Sequence, residues 1–210
     1  MADKYQQKSW WLIRHAPVLS GKLYGHSDLP ADFSNSARLE ALSRMIPQSG
    51  HFYSSDLQRC VQTAERISAL MEIKEPLITK VKALREQNFG RWEGCGYEEI
   101  EVSYPDEYRA FWKDPAINYP PGGESFADLA ARVAEQMNDM LMTDNDEIVM
   151  IVHAGTIRAV LGAALGMAPE RMLSFVIDPL SLTRLRSFTL NGKASWEVRV
   201  VNSLADDLRQ

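Results

Sequence analysis

The sequence lacks several features that would assign a function directly. Its two cysteines, Cys60 and Cys95, belong to no Cys-x-x-Cys pair or Cys/His cluster, so we expect buried or incidental thiols rather than metal ligands. The net charge of −5 shows no basic excess, which argues against a general nucleic-acid or membrane-surface binder. No apolar run approaches the ~18 residues of a membrane span. A local pocket for a small anion is still compatible with this charge, since a few arginines suffice to form one.

The remaining composition is that of a folded globular protein. Hydrophobic residues make up 45% of the 210 residues, and charged residues make up 24%. This length predicts one domain over residues 1–210 with a substantial core. The polar start, MADKYQQKS, carries an acidic residue and does not resemble a signal peptide, so we expect a cytoplasmic protein.

Hydrophobic patterning predicts several β-strands. The segment 146–155 (DEIVMIVHAG) is continuously apolar from Ile148 to Val152, which is typical of a central strand covered on both faces. Asn191-Gly192 separates two alternating segments and predicts a hairpin turn. The other predicted strands are 10–15 (WWLIRH) and 51–55 (HFYSS).

Apolar residues recur at helical spacing in the segments between these strands. We predict helices at 56–71, 125–142 and 156–167, and Ser125 followed by Asp128 resembles a capping box at the start of the second helix. Strands that alternate with helices predict an α/β fold. The predicted architecture is a three-layer sandwich in which helices flank a central, mostly parallel sheet.

The pattern is weaker between residues 91 and 123. This segment contains four prolines and seven aromatic residues without a long periodic run. We expect an irregular, cap-like insertion that packs over one end of the sheet. Most of its aromatic side chains are expected to serve packing, while one or two that face a binding pocket would stack on a flat ligand.

Arginines and histidines stand where the predicted strands end. The first strand ends in Arg14-His15, the strongest strand ends at His153, and Arg59 lies in the first turn of the helix after the second strand. On one strand alone, such residues could simply mark its end. Because the carboxyl ends of parallel strands meet at one edge of a sheet, three segments would bring these four side chains together. We therefore predict a binding site at this edge.

Two arginines and two histidines suit an oxyanion such as a phosphoryl group. The guanidinium fork matches phosphate oxygens, and backbone N–H groups at the helix starts after Ser55 and Gly155 would add positive dipole ends. The sequence has no GxxxxGK[ST] loop, no GxGxxG fingerprint and no Asp-rich Mg²⁺ cluster. A phosphoryl group bound without them needs a nucleophile from the protein. Histidine can attack phosphorus when a hydrogen bond holds its other ring nitrogen.

Four segments resemble the histidine phosphatase superfamily, which contains the cofactor-dependent phosphoglycerate mutases. LIRHAP resembles its N-terminal Arg-His-Gly motif, and YSSDLQRCVQTAE resembles its second-arginine segment. LREQNFGRWEG resembles the segment with the catalytic acid, and VMIVHAGTIRAVL resembles the second-histidine segment. The four occur in the family's order and span nearly the whole chain. The resemblance implies a phosphoglycerate mutase-like α/β sandwich, and we expect neither a metal nor another cofactor.

The resemblance also implies a role for each matching residue. His15 would be the nucleophile that becomes phosphohistidine. The phosphoryl oxygens would be bound by Arg14, Arg59 and His153. Glu86 would protonate the leaving oxygen and then help water attack the phosphoenzyme. Further substrate contacts are expected from Tyr24, Gly155 and Thr156.

One position departs from the family pattern. The glycine that follows the first histidine in the family is Ala16 here. Glycine allows close approach of the backbone to phosphate, so Ala16 would tighten the pocket or shift the loop, although we expect activity to survive. The two other histidines match no catalytic position. His51 is expected to be structural at the start of a strand, and His26 either lines the mouth of the pocket or is structural.

The segment after the first histidine favours a phosphatase over a mutase. It reads APVLSGKLYGHSDLPAD and lacks the Ser and Asn spacing and the Gly-Trp-x-Asp segment of the mutases. The segments YGHSDLP, NFGRWEG and PPGGESFADLAARV look most like the alpha-ribazole phosphatases of cobalamin assembly. We therefore expect a phosphomonoester hydrolase that acts on alpha-ribazole 5'-phosphate or on another small phosphomonoester.

Several alternatives stay open. These are a phosphoglycerate mutase, a broad-specificity sugar phosphate phosphatase, a phosphoprotein phosphatase and a catalytically silent phosphate-binding module. All five catalytic positions are filled, which counts against the silent module. The expected partner is a small phosphorylated metabolite, with a homodimer as the assembly left open, and neither nucleic acid nor a membrane is expected.

Overall fold

The chain folds around one mixed sheet of six strands, and the computed structural model describes residues 5–74 and 76–204. Its strands are β1 (Tyr5–Arg14), β2 (His51–Ser54), β3 (Ile78–Lys80), β4 (Glu147–Val152), β5 (Leu182–Leu190) and β6 (Lys193–Ser203). They lie in the order β3-β2-β4-β1-β5-β6. The pairings among β3, β2, β4 and β1 are parallel, whereas β5 and β6 are antiparallel. This arrangement confirms the predicted α/β fold with a mostly parallel sheet.

The antiparallel edge is formed by the predicted hairpin. Asn191 and Gly192 connect β5 to β6, and both have positive φ angles, 51° and 78°. A two-residue turn with both central residues at positive φ matches the twist of the flanking strands, and Asn-Gly adopts it readily.

Two strands differ from the prediction. β1 begins at Tyr5 rather than at residue 10, because its polar first half pairs with β5 from Tyr5↔Leu190 onward. The parallel partner β4 joins only at Ser9, where the apolar run begins. β3 was not predicted, since three residues are too few to show a period.

Helices cover both faces of the sheet. The α-helices are α1 (Ser36–Ser43), α2 (Gln58–Leu70), α3 (Tyr97–Ser103), α4 (Pro105–Lys113), α5 (Phe126–Leu141), α6 (Ala154–Leu165) and α7 (Pro169–Met172). The predictions for α2, α5 and α6 are confirmed within a few residues. Ser125 and Asp128 form the predicted capping box of α5. None of the helices within the described ranges has the length and apolar character that crossing a membrane requires.

The two apolar cores follow from the alternation along β1. Trp10 and Leu12 point into the core that is covered by α5 and α6. Trp11 and Ile13 point to the opposite face and pack with residues of α1 and α2. Ile148 to Val152 of β4 are fully buried, as expected for the centre of a three-layer sandwich.

Residues 91–123 are more regular than the sequence predicts. The prediction of an irregular segment is wrong for α3 and α4, which are seven and nine residues long. In α4, Tyr108, Phe111 and Trp112 follow the helical i, i+3, i+4 spacing, a signal that the prediction did not use. A Pro at the first position favours α4. Their buried residues Ile100 and Phe111 pack on Trp92 in a small separate core.

Candidate active site

The carboxyl ends of β1, β2 and β4 lie side by side. The N–H of His15 donates to Val152 O at 2.9 Å, and the N–H of Ser55 donates to Ile151 O at 3.2 Å. Both residues follow directly after their strands, so the ends of the strands stay in register. A cavity of about 380 Å³ opens at this edge, and we call it the polar cavity. Of the predicted site residues, its wall contains Arg14, His15, Tyr24, Glu86 and Gly155.

His15 is held in one tautomer. Its Nδ1 lies 2.7 Å from Ala16 O. Because a carbonyl oxygen only accepts, Nδ1 carries the proton and Nε2 keeps its lone pair in the neutral ring. Burial lowers the pKa of His15 to about 3, with further lowering by the positive charges of Arg59 and Arg14 against the opposing bond to Ala16. The ring is therefore neutral at physiological pH.

His153 lies beside His15 but not on the wall of the polar cavity. Their ring centroids are 5.0 Å apart in an edge-to-face arrangement. The ring is fully buried, and its Nε2 is hydrogen-bonded to Ser55 Oγ at 2.9 Å and lies 3.4 Å from Cys60 Sγ. Burial and the neighbouring charges hold its pKa well below the usual value, so this ring is neutral too.

The two arginines are anchored by backbone carbonyls. Arg14 Nη1 donates to Ile177 O at 2.6 Å. Arg59 is fully buried behind the cavity wall and donates to Gly25 O at 2.6 Å and Ser27 O at 2.8 Å. Both retain a buried Nε–H without a partner in the described residues. The Arg59 guanidinium also lies 5.1 Å from the centroid of the Tyr24 ring.

Glu86 is fixed by backbone donors at both carboxylate oxygens. The N–H of Gln87 donates to Oε1 at 2.9 Å, and the N–H of Gly155 donates to Oε2 at 3.1 Å. A β-carbon at position 155 would collide with Oε1, so only glycine permits this approach. The Gly155 N–H, which was expected to face the phosphoryl group, therefore holds Glu86.

Thr156 is placed differently from the prediction. Its side chain is fully buried, lies outside the cavity wall, and donates to Leu84 O at 3.1 Å. Thr156 thus joins α6 to the segment that leads to Glu86. It does not face the polar cavity.

Ala16 and the two remaining histidines, His26 and His51, also lie outside the wall of the polar cavity. The Ala16 side chain is buried in an apolar core and its N–H donates to Thr63 Oγ1 at 3.0 Å, so its methyl group does not narrow the cavity. His26 Nε2 donates to Glu86 O at 2.9 Å from outside the polar cavity. His51 Nε2 is hydrogen-bonded to Thr79 Oγ1 at 2.9 Å, and His51 begins β2 as expected.

Sequence reasoning missed four polar residues in the wall of the polar cavity, namely Ser20, Lys22, Gln87 and Arg158. Gln87 and Lys22 lie within two residues of Glu86 and Tyr24. Arg158 lies three residues after Gly155 in α6, and residues at this spacing share a helix face. This spacing was the one feature of the sequence that could have placed Arg158 near the site.

A second cavity of about 330 Å³ adjoins the first, and we call it the aromatic cavity. Its wall contains five of the seven aromatic residues of 91–123, which is more than expected: Trp92, Tyr97, Tyr108, Phe111 and Trp112. Tyr104 and Tyr119 lie outside it. The two cavities share wall residues Leu23, Gln87, Phe89, Tyr97, Arg158 and Leu173.

No group of three or more His, Cys, Asp and Glu side chains that could hold a metal ion occurs in residues 5–74 and 76–204. The predicted residues place two neutral histidines, two anchored guanidinium groups and one fixed carboxylate in or beside the wall of the polar cavity, to which Lys22, Gln87 and Arg158 add further polar groups. Such a set can bind an oxyanion and offers a nitrogen nucleophile beside it.

Known proteins share both the sequence pattern and the fold. Phosphoserine phosphatase 1 of Hydrogenobacter thermophilus is 30% identical over 178 residues, covering 81% of this chain and 82% of that protein. A mycobacterial glucosyl-3-phosphoglycerate phosphatase matches with a TM-score of 0.80 and 21% identity, covering 94% and 99% of the two chains. The alpha-ribazole phosphatase of Shigella flexneri matches with a TM-score of 0.78 and 22% identity, covering 93% and 96%.

Curated relatives differ in length, and the chain spans 82% of some but only about a third of others. The structural matches, at these identities, show the fold. A family model described as the histidine phosphatase superfamily (branch 1) matches residues 10–202. The chain therefore belongs to the histidine phosphatase superfamily.

Proposed function

We propose that the protein hydrolyses small phosphomonoesters through a phosphohistidine on Nε2 of His15. The observation that carries this proposal is the hydrogen bond from Nδ1 to Ala16 O. It leaves the lone pair on Nε2, in a ring that is neutral because its pKa is lowered to about 3. A neutral, oriented imidazole on the wall of a cation-bearing cavity is prepared for attack on phosphorus.

The reaction proceeds in two steps. Nε2 forms a bond to phosphorus while the bond from phosphorus to the leaving oxygen breaks, and Glu86 gives that oxygen a proton. Water then attacks phosphorus as the N–P bond breaks, and Glu86 takes the proton of the water. Two backbone N–H groups hold the carboxylate in one place for both transfers.

The phosphoryl oxygens are assigned to Arg14, Arg59 and His153. Arg14 lies on the cavity wall, and Arg59 is close enough for its charge to lower the pKa of His15. The charges of both arginines act on His15, beside which the phosphoryl group would be bound. Because the protein itself supplies nucleophile, cations and acid, we propose that no metal takes part.

The aromatic cavity supports a flat and largely apolar leaving group. Five aromatic residues of 91–123 line it, and it opens beside the polar cavity along six shared wall residues. Alpha-ribazole 5'-phosphate is one compound with such a leaving group. A stacked contact contributes ~1–3 kcal/mol, so kcat/KM should exceed that for ribose 5-phosphate by at least about tenfold. Equal turnover of ribose 5-phosphate or 3-phosphoglycerate would contradict this assignment.

The reaction class is tested by release of inorganic phosphate from a panel of metabolites and a small aryl phosphate. Wild-type protein should act on them, and His15→Ala should lose essentially all turnover while remaining folded. Activity should survive a chelator. Inhibition by the chelator that added divalent metal reverses would overturn metal independence, and lack of turnover on the whole panel would favour a silent phosphate-binding module.

A further inference from the structure

The chain around Glu86 has little regular structure of its own. A single 3₁₀ turn, Lys82–Leu84, ends just before it, and residues 85–89 belong to no helix or strand. The backbone carbonyls of such a segment lack the regular partners of a helix or sheet, so other groups must satisfy them. The direction in which the Glu86 side chain leaves the backbone therefore depends on the side chains that hold these carbonyls.

Arg132 of α5 binds three of these carbonyls. Its Nη1 donates to Ala83 O at 2.8 Å and to Arg85 O at 2.9 Å. Its Nη2 donates to Glu86 O at 2.9 Å. Arg132 thus holds the backbone at the proposed acid and at two positions before it.

Glu124 completes this network. It accepts from Arg132 Nη2 at 2.6 Å and from Arg132 Nε at 3.2 Å, so all five N–H donors of the guanidinium group are used. The same carboxylate accepts from the Asn88 N–H at 3.0 Å, and the Glu124 N–H donates to Asn88 O at 2.9 Å. The side chains of Arg132 and Glu124 are only 23% and 20% exposed, so solvent screens this pair less than a surface pair. Together they hold the segment on both sides of Glu86.

Arg132 does not itself face the substrate. It lines neither the polar nor the aromatic cavity, but a separate cavity of about 340 Å³ that shares no wall residue with those two. Arg132 therefore meets Glu86 at its backbone carbonyl, whereas the Glu86 carboxylate is held by the N–H groups of Gln87 and Gly155. Both ends of the proposed acid are fixed, and Arg132 fixes the backbone end.

We infer that Arg132 is the positioning residue of the proposed acid, because its fork fixes the backbone from which the Glu86 carboxylate reaches the leaving oxygen. This inference rests on the proposed function and adds to it a residue that binds no substrate. Arginine is required because it alone has enough donors to span three carbonyls and the Glu124 carboxylate at once. A displacement of a catalytic group by about 1 Å costs up to ~10²-fold in rate. Loss of the fork should therefore impair proton transfer and leave substrate binding nearly unchanged.

Two phosphate esters separate a positioning role from a merely structural one. 2-Phenylethyl phosphate needs a proton on its leaving oxygen, 4-nitrophenyl phosphate does not, and both carry one aromatic ring. Arg132→Met should lower kcat for 2-phenylethyl phosphate by ~10²-fold with little change in KM, and should lower kcat for 4-nitrophenyl phosphate far less. Arg132→Lys keeps the charge but not the fork, so it should show the same pattern at nearly the same size.

A double variant tests whether Arg132 acts through Glu86. Added to Glu86→Gln, Arg132→Met should slow hydrolysis of 2-phenylethyl phosphate by no more than about twofold, because the proton donor is already lost. Arg109→Met is the matched control. Arg109 also binds a carbonyl and a carboxylate, Pro105 O and Asp106 Oδ1, but it is exposed on α4 and lines neither cavity. This variant should keep wild-type kinetics on both esters.

Equal losses on the two esters in the Arg132 variants, or a loss that lies in KM instead of kcat, would overturn the inference. So would a further ~10²-fold loss in the double variant. If Arg132→Met does not fold, Arg132→Lys decides by the same comparison of the two esters. Failure of Glu86→Gln to distinguish the two esters would instead contradict the acid in the proposed function.

Discussion

The polar and the aromatic cavity adjoin each other but are built by different parts of the molecule. Strand ends and the start of α6 bring Arg14, His15 and Gly155 to the polar cavity. The aromatic cavity is lined by residues of α3 and α4, which lie outside the sheet. Under the proposed function, the reacting groups stand at the ends of buried strands, whereas the leaving group would meet helices outside the sheet, whose sequence can vary without disturbing it.

The largest change in hydrolysis rate is expected for a substitution at Glu86, which lies in the polar cavity. If the polar cavity performs proton transfer, Glu86→Gln should slow hydrolysis of alkyl phosphates by ~10²–10⁴-fold, because their leaving oxygens need a proton. A nitrophenyl phosphate should lose little, since nitrophenolate leaves without one. Steady-state kinetics on both substrates measures this. Glu98→Gln, at an exposed position of α3, is the control, and equal losses on the two substrates would mean that Glu86 is not the acid.

A smaller effect is expected in the aromatic cavity. Trp112 lines it with half of its surface exposed, and Trp112→Leu should lower kcat/KM for an aryl phosphate by about tenfold, or ~1.4 kcal/mol. A phosphate ester of a short alcohol does not reach this wall and should change little. Tyr119→Leu alters an exposed aromatic residue of the same segment outside both cavities. If both variants behave alike, or if Trp112→Leu slows both substrates equally, the aromatic cavity does not bind the leaving group.

The smallest effect concerns stability against pH. The pKa of His15 falls from 6.5 to about 3 on folding, so the unfolded chain binds more protons in this range. The contribution of His15 to the free energy of unfolding is complete above pH 6.5 and is lost as the pH falls toward 3. From pH 6 to pH 5 the wild type should lose about 1 kcal/mol more of its unfolding free energy than His15→Gln. Urea denaturation at the two pH values measures the difference, and parallel losses in both proteins would contradict a buried, neutral His15.

The sequence predicts the polar cavity better than the aromatic one for a physical reason. The end of a continuously apolar strand can be located from the sequence alone. Arg14, His15 and His153 lie at the ends of two such strands. Because α3 and α4 are only seven and nine residues long, the helical spacing of Tyr108, Phe111 and Trp112 in α4 is too short a run to predict a helix by itself.

The contacts of single side chains were not predictable either. Thr156 Oγ1 donates to Leu84 O, and the Gly155 N–H donates to Glu86 Oε2. Both hydrogen bonds join segments that are distant in sequence, so only the tertiary structure reveals them. Arg158 is an arginine on a helix, which is usually an exposed surface residue. Only its place in the walls of both cavities distinguishes it from such a residue.

The central claim is that His15 carries the phosphoryl group during turnover. Wild-type protein mixed with a good phosphomonoester substrate and quenched in alkali, where the N–P bond survives, can be digested and mapped by mass spectrometry. The account predicts one phosphoryl group on Nε2 of His15, formed before free phosphate appears and lost when substrate is exhausted, with no label in His15→Ala. A phosphoryl group on another residue, or turnover at full rate with no labelled His15 at any time, would contradict it.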